Sequence, residues 1–367
     1  MLLVVVVCMP VQAGSLKKRI AVFTPTTENN TYWPQVYRLL NAVANDLGIE
    51  ISPHEFDVQD RFSKHIEGVR ILSQAPRPDA AILSVAYGNT KPLLEAAETL
   101  GIPVFVQGPL FPSELPEIGY QPRKKYGRWV GYFYQDEKEK GYRLGCTLLS
   151  AARTAGAHDA NGDINVVGIG GDFTWFGSQL RKEGLRQAVD ETPGAVLLQV
   201  VPTKWTQPEG ARVAALLLER YPQTNVVWAA SDQLAIGACE SLADTGRILG
   251  ETAFVGGLDL SLNGLRHVQN AELYATVAGS MFSYAEILVY LFDYLHGIDF
   301  ADEVGTVIST SLYTATAANA KFHLFLSQQY DCVQFKRLSK FYNRNMERYD
   351  FSLGHIMHLA TDQSLPE

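Results

Sequence analysis

The stretch VVWAASDQLAIGACESLADTGR, at residues 226–247, joins an apolar strand to a helix with almost no loop between them. Residues 226–230 are all apolar, as in a strand buried on both faces. Residues 232–245 carry apolar side chains at helical spacing, and Ser231 stands between the two elements. A strand followed directly by a helix is the building unit of a parallel α/β sheet. We therefore predict a parallel α/β fold around this unit.

The same alternation extends in both directions along the chain. In the first half we predict strands at residues 19–24, 49–56, 80–84 and 104–107 and helices at 34–47, 62–73 and 90–100. In the second half we predict strands at residues 165–169, 196–201, 226–230 and 253–256 and helices at 177–189, 209–220, 232–245 and 260–269. Strands joined by single helices form parallel sheets with right-handed crossovers. The fold class is therefore α/β, with two similar Rossmann-like domains separated by the Pro-, Gly- and aromatic-rich residues 108–129.

The remaining elements predict how the two domains are joined. A strand at 273–278, a helix at 282–296 and a strand at 304–310 are too few for a third domain. They fit a chain that returns to the first domain and then crosses once more, which gives a multi-strand hinge. The expected division is a signal peptide at 1–13, an N-terminal lobe at 19–133 plus 281–306, a C-terminal lobe at 134–280 plus 307–320, and a C-terminal extension at 321–367.

Composition excludes several classes of protein. The 367 residues are 47% hydrophobic and 19% charged, as in a globular protein with a large core. The formal net charge of −8 argues against nucleic acid as a partner, because phosphate binding needs a basic surface. Of the four cysteines, Cys8 lies in the predicted signal peptide. The remaining three, Cys146, Cys239 and Cys332, are widely spaced and odd in number, so they predict no disulfide framework.

The first residues predict the compartment. The apolar run at residues 2–9 is too short to span a bilayer, and Val11 and Ala13 are small residues of the kind that precede a cleavage site. A cleavable signal peptide and export to the periplasm follow; the alternative is a buried first strand.

Polar and aromatic side chains cluster after the predicted strands. In an open parallel sheet, ligands bind beyond the carboxyl ends of the strands. The candidate ligand-binding residues at these positions are Asn30, Tyr32, Trp33, Gln107, Trp175, Gln179, Arg181, Trp205, Ser231, Asp232 and Asp259. Aromatic faces stack on the C–H faces of a sugar, and carboxylates, amides and guanidinium groups bind hydroxyls. A sugar or similar polyol is therefore the expected ligand, and a small cation in an aromatic cage is the alternative.

Seven of the candidates also have a purely structural interpretation. Tyr32 and Trp33 would also suit a hydrophobic staple at the start of a helix. Asp232 and Asp259 stand where helix N-caps are expected. The indole rings of Trp175 and Trp205 would also suit the core, and Arg181 would also suit a surface ion pair.

Catalytic motifs are not found. The sequence contains no phosphate-binding Gly-Lys-Ser/Thr run and no Gly-x-Ser-x-Gly turn. His355 and His358 have no acidic residues spaced for a metal site. We predict no catalytic residue, no metal and no cofactor.

Several stretches together resemble a known family. RIAVFTPTTENNTYW, RPDAAILSV, GIPVFVQG, VVWAASDQLAIGACESLADTGR and AFVGGLDLSLNGLRHVQNAELYATVAGS are similar to the type I periplasmic solute-binding proteins of the ribose/galactose-binding and LacI-like group, over residues 19–310. The resemblance implies two hinged lobes that close on a small polar ligand. It also implies that Trp33, Gln107, Arg181, Ser231 and Asp232 occupy family ligand positions, and that Asp259 matches the sugar-binding Asp of ribose-type members.

Within this group, TYWPQ, FVQG and VPTKWTQPEGARVAALLLERYP are similar to the periplasmic autoinducer receptors, which work through a membrane sensor kinase. The Tyr-Trp pair is similar to that of the periplasmic trimethylamine-oxide sensors. The chain departs from the autoinducer receptors at Leu258, where they have Trp, and near Gly279, where they have Arg. It departs from the ribose-type proteins at Gln179, where they have Arg.

The leading hypothesis is a monomeric periplasmic receptor that binds a sugar-like ligand and delivers it to a membrane ABC permease. One alternative is a ligand sensor that partners a membrane histidine kinase, with an autoinducer- or methylamine-type ligand. An exported enzyme that uses the same cleft is the alternative from another class, and a cytoplasmic regulator is a third.

Overall fold

The computed structural model describes residues 17–26, 31–57, 61–85, 88–243 and 245–362. The predicted signal peptide at 1–13 and the candidate Asn30 lie outside these residues.

Strands and helices alternate along the described chain. The strands are β1 Arg19–Thr26, β2 Glu50–Asp57, β3 Ala80–Ser84, β4 Val104–Gln107, β5 Trp129–Tyr134, β6 Ile164–Gly170, β7 Ala195–Pro202, β8 Val226–Ala229, β9 Phe254–Leu258, β10 Ala275–Gly279, β11 Val307–Ser309 and β12 Leu312–Thr316. The helices are α1 Tyr32–Leu47, α2 Arg61–Ser73, α3 Thr90–Leu100, α4 Leu115–Ile118, α5 Glu137–Ala155, α6 Phe176–Asp190, α7 Gln207–Arg220, α8 Asp232–Ala243, α9 Leu262–Gln269, α10 Ser283–Leu295, α11 Ala301–Val304, α12 Ala320–Gln328 and α13 Leu353–Thr361.

The strands form two six-stranded sheets, which confirms the predicted fold class. The first has the order β11-β5-β4-β3-β1-β2 and is parallel throughout. The second has the order β12-β10-β9-β8-β6-β7 and is parallel except for β12, which runs antiparallel to β10. The central strands β3, β4, β6, β8, β9 and β10 are buried along their whole length, because helices cover both faces of each sheet.

Three elements of the core were not predicted. β5 follows the aromatic segment that was assigned as a linker, and α5 carries Gly141 and Gly145 among charged residues, which weakens its helical pattern. β12 is only half-buried and has no clear alternation.

The chain passes between the two sheets three times: after β5, after β10 and between β11 and β12. These passages touch one another. The Gly279 amide donates to Gln135 Oε1 at 3.1 Å, and a Cβ on Gly279 would lie 2.3 Å from Thr310 Cγ2. Since β11 pairs with β5 in the first sheet, we place the last crossing after Ser309, three residues beyond the predicted boundary; the other lobe boundaries remain a proposal.

The C-terminal extension touches both lobes: its first helix α12 packs on α9 of the second lobe, and the residues from Tyr330 onwards pack on the first lobe. Asp293 of α10 is fully buried and accepts four hydrogen bonds from the extension. The donors are Ser339 Oγ at 2.5 Å, the Lys340 amide at 2.7 Å, the Phe341 amide at 3.1 Å and the Tyr349 hydroxyl at 2.8 Å.

Among the described residues, none of the helices has the length and apolar character that crossing a bilayer requires.

Candidate functional site

A cavity of about 200 Å³ lies between the lobes, at the carboxyl ends of strands from both sheets. Of the predicted site residues, those that line it are Tyr32, Trp33, Gln107, Trp175, Arg181, Trp205, Ser231, Asp232 and Asp259. The volume is below the roughly 300–1,000 Å³ of pockets for drug-sized ligands, so the space suits a small molecule.

Aromatic rings at the start of α1 form the first-lobe wall. Tyr32 and Trp33 pack edge to face with their ring centroids 5.3 Å apart, and both contact Tyr284 of α10 in the same manner. The Tyr32 and Tyr284 hydroxyls lie 3.1 Å apart. The two α1 rings also contact the first-lobe core, as a staple would. Both interpretations of Tyr32 and Trp33 are therefore compatible, since the rings join core and cavity.

Two indole rings and a guanidinium group form the second-lobe wall. Trp175 and Trp205 meet edge to face at 5.8 Å, and the Arg181 guanidinium lies 5.1 Å from one ring centroid and 5.7 Å from the other. Glycines make room for both rings: a Cβ on Gly171 would lie 2.0 Å from Trp205, and one on Gly177 would lie 2.3 Å from Trp175. Trp205 has a φ of 70°, a conformation unfavourable for a bulky residue. The chain therefore accepts local strain to present this ring.

A buried ionic network fixes Arg181. Its Nε donates to Glu137 Oε2 at 2.6 Å and its Nη1 donates to the Ala230 carbonyl at 2.5 Å. Lys140 also contacts Glu137, at 2.7 Å. Burial opposes ionisation of Glu137, but Arg181 and Lys140 together hold its pKa below the ordinary value. Arg181 is thus paired with buried acids rather than with a surface acid.

Asp232 presents an incompletely bonded carboxylate. Its Oδ2 accepts from the amide and the hydroxyl of Ser261, each at 2.8 Å. Its Oδ1 makes no hydrogen bond of good geometry among the described residues. Burial, followed by the nearby Asp259, raises the pKa of Asp232 to about 7. The helix cap is Ser231, whose Oγ accepts from the Leu234 amide at 3.3 Å, so Asp232 is the first helical residue and not the cap.

Asp259 stands on a strained turn at the end of β9. Asp259 and Leu260 have φ values of 120° and 48°, in a region that non-glycine residues seldom occupy. Asp259 Oδ1 lies 3.4 Å from Arg181 Nη1. Burial raises the pKa of Asp259 to about 6, although Arg181 and Lys140 act in the opposite direction. Asp259 is not a helix cap, since Ser261 caps α9.

Two other predicted residues differ in placement. Gln107 lines the cavity and donates from Nε2 to Ser84 Oγ at 2.6 Å. Gln179 does not line it: its Nε2 donates to the Phe173 carbonyl at 2.7 Å. Gln179 precedes Arg181 by two helical residues, about 200° around the axis, so the two side chains leave the helix in different directions.

Several lining residues were missed, notably Glu137, Lys140, Ser261 and Tyr284. The first two lie on the unpredicted helix α5. Its start has a recognisable signal, because Asp136 is followed three residues later by Glu139, whose amide donates to the Asp136 carboxylate at 2.9 Å.

The lobes touch outside the cavity as well. Phe111 of the first lobe packs against Phe176 of α6 with ring centroids 5.7 Å apart. Gln35 of α1 accepts from the Leu262 amide of α9 at 2.9 Å. The lobes are therefore in a closed arrangement around the cavity.

Among the described residues, no cluster of His, Cys, Asp and Glu is arranged to hold a metal ion.

Comparison with known proteins gives the family. The model of the periplasmic binding protein domain matches residues 20–297. No curated protein matches the chain in sequence.

Solved structures match nearly the whole chain. A periplasmic sugar-binding protein from Pseudomonas fluorescens is 26% identical, with a TM-score of 0.80 over 93% of this chain and 99% of that one. A periplasmic solute-binding protein of an ABC transporter from Actinobacillus succinogenes, with bound D-allose, is 19% identical, with a TM-score of 0.67 over 83% and 99% of the two chains. The periplasmic binding component of the arabinose ABC transporter from a Shewanella species, bound to L-arabinofuranose, is 19% identical, with a TM-score of 0.68 over 84% and 96%. The last two matches establish likeness of fold alone.

Proposed function

We propose that this chain, which belongs to the periplasmic binding protein domain family, is a receptor that closes its two lobes around one small polar solute, a sugar or sugar-like molecule. The observation that carries the proposal is the inter-lobe cavity, in which aromatic rings from both lobes face carboxylate, amide and guanidinium groups. The similar sugar-binding protein from Pseudomonas fluorescens supports a sugar as the ligand.

Aromatic rings would bind the apolar faces of the guest. Trp33 comes from the first lobe, and Trp175 and Trp205 come from the second. A sugar ring between such walls would bury its C–H faces without losing hydrogen bonds at its edge. The hydroxyls would then meet Asp232, Asp259 and the other polar groups.

Binding would favour closure because neither lobe alone provides the complete set of contacts. A ligand shifts a two-state equilibrium only by its difference in affinity for the two states. Here the closed state gains the contacts of the second lobe, and the hinge absorbs the motion.

The partner is proposed to be a membrane ABC permease, and the compartment the periplasm. Relatives from ABC transporters, including the one with bound D-allose, support this assignment. A membrane sensor kinase would recognise the same closed form. Pull-down of this chain with the ABC permease and with the sensor kinase, each with and without ligand, distinguishes the two partners by which of them retains the chain.

A small cation is the second candidate ligand. The carboxylates that line the cavity are Glu137, Asp172, Asp232 and Asp259, whereas the cationic side chains are Lys140 and Arg181. A positive charge near the aromatic rings would balance this excess of acid.

Thermal-shift screening tests the proposal. The panel contains D-allose, L-arabinose, D-galactose, glycerol, trimethylamine N-oxide and choline, with the Asp232→Ala variant as control. We expect a shift with at least one monosaccharide that is lost in the variant. A shift with choline alone would favour the cation. Product analysis after long incubation tests the exported-enzyme alternative, for which conversion of the sugar is the supporting result.

A further inference from the structure

One inter-lobe hydrogen bond lies beside the cavity but outside its lining. Leu262 is the first residue of α9, so its amide has no acceptor within the helix. The acceptor is Gln35 Oε1 of the other lobe, at 2.9 Å. The first lobe therefore caps a second-lobe helix across the cleft.

The nitrogen of the same Gln35 side-chain amide bonds a residue of the C-terminal extension. Gln35 Nε2 donates to the Tyr330 hydroxyl at 3.0 Å. Tyr330 is completely buried, with its ring edge-on to Phe282 at 5.5 Å and under the Arg38 guanidinium at 5.1 Å. Because Tyr330 accepts from the amide nitrogen, the amide oxygen of Gln35 is turned towards Leu262.

The capped helix begins next to a ligand-facing carboxylate. Ser261 directly precedes Leu262, lines the cavity and donates twice to Asp232. A displacement of the α9 N-terminus would therefore also move the donors that hold Asp232.

We infer that Gln35 is a closure latch: a positioning residue, oriented by Tyr330, that bonds the second lobe only when the lobes are closed. The C-terminal extension thereby sets the lifetime of the closed form. This inference rests on the proposed function, in which the lobes close on a solute.

Dissociation and association rates test the latch. The variants are Gln35→Ala and Tyr330→Phe, and the probe is D-allose, or L-arabinose or D-galactose if D-allose does not bind. Tyr342→Phe is the matched control, because the Tyr342 hydroxyl also joins the extension to the first lobe, donating to the Leu47 carbonyl at 3.0 Å, but does not contact Gln35. Because the latch forms only after closure, its removal in either variant should raise koff by roughly three- to tenfold, as expected for the loss of one hydrogen bond, and should leave kon unchanged.

The double variant Gln35→Ala/Tyr330→Phe distinguishes a latch from a general loss of stability, because the effects of a latch on koff are not additive. Tyr330 acts through Gln35, so the double variant should dissociate no faster than Gln35→Ala alone. Unchanged koff in both single variants, an equal effect of Tyr342→Phe, or additive effects in the double variant would overturn the inference. Gln35→Met, which keeps the side-chain length without the amide, replaces Gln35→Ala if that variant does not fold.

Failure of the proposed function can be distinguished from failure of the latch. If the wild-type chain binds none of the three monosaccharides, the proposed sugar specificity fails, and small-angle X-ray scattering of the ligand-free proteins then tests the latch. A larger radius of gyration in Gln35→Ala and Tyr330→Phe than in the wild type and Tyr342→Phe supports it; superimposable profiles for all four overturn it.

Discussion

Several polar side chains at the cavity are held in place by other protein groups. Arg181 is fixed by Glu137 and the Ala230 carbonyl, and Asp232 is fixed by Ser261. A ligand that meets such groups does not have to immobilise them, which lowers the entropic cost of binding. Preorganisation of this kind favours recognition of one hydroxyl pattern over another.

Trp33→Ala tests the aromatic wall. Loss of one face should weaken sugar binding by about 10- to 100-fold, as expected of a central aromatic anchor. Titration calorimetry measures the effect. Tyr120→Ala is the control, because Tyr120 is 70% exposed and does not line the cavity. Equal affinity in Trp33→Ala and the wild type would assign Trp33 to the staple alone.

The pH dependence of stability tests the burial of Asp232. Its folded-state pKa of about 7 lies above the ordinary value of 3.8, so its stabilising contribution is full below about pH 4 and is lost as the pH rises through 7. We expect the free energy of unfolding of the ligand-free chain to fall between about pH 5 and pH 8, with about 2–3 kcal/mol of this fall due to Asp232.

Urea unfolding of the wild type and Asp232→Asn at about pH 5 and pH 8 measures the contribution of Asp232 to this fall in the free energy of unfolding. Burial also raises the pKa of Glu114 to about 7, which produces the same trend in both proteins. The informative quantity is therefore the difference between them. An equally steep fall in Asp232→Asn would show that Asp232 titrates normally.

At the residue scale, a position beside the cavity could be predicted where a strand end determined it. Gln107 ends β4, and Trp33 and Asp232 lie at the starts of the helices that follow β1 and β8, so their placement follows from the topology of a parallel sheet. Gln179 was misplaced because its position depends on the angle around a helix, and Tyr284 was missed because it reaches the cavity from the return crossing.

At the scale of elements, the packing of α5 on α6 sets the geometry of the ionic network. A Cβ on Gly141 would lie 2.0 Å from the Arg181 carbonyl oxygen, and one on Gly184 would lie 2.0 Å from the Lys138 carbonyl oxygen. The two backbones approach this closely only because both positions are glycine. The approach places Glu137 of α5 against Arg181 of α6.

Gly184→Ala should therefore force the two helices apart. We expect a loss of about 1–3 kcal/mol in the free energy of unfolding, as for an overpacked core, together with weaker ligand binding. Gly354→Ala is the control, since a Cβ there meets nothing within 4 Å and alanine favours the helix. Unfolding in urea compares the two variants, and equal stability of both would contradict this account of the helix contact.

Strands and helices could be predicted from the sequence where their apolar residues form a clear pattern. Uniformly apolar strands such as β3 and β8 were found with nearly correct ends. The helix α5 was not found, because the glycines that permit close packing also interrupt its apolar stripe.

At the scale of the whole molecule, three chain passages join two lobes that line one cavity and also touch outside it. Such a hinge permits rotation of the lobes as rigid bodies, because each lobe retains its own sheet and core. The extension touches both lobes, because α12 packs on α9 whereas the residues from Tyr330 onwards pack on the first lobe.

Ligand should compact the protein in solution. We expect the radius of gyration, measured by small-angle X-ray scattering, to fall when the sugar identified by thermal shift is added at saturation. The ligand-free chain should exchange between open and closed forms, so that its average radius of gyration exceeds that of the closed structure. Identical scattering with and without bound ligand would contradict closure as the response to binding.

The decisive measurement is titration calorimetry of the wild type and Asp232→Ala with the monosaccharide panel. At least one monosaccharide should bind the wild type at one site per chain, and Asp232→Ala should abolish the heat of binding while its melting curve remains cooperative. Absence of binding by any sugar, or binding that survives the loss of Asp232, would contradict the proposed function.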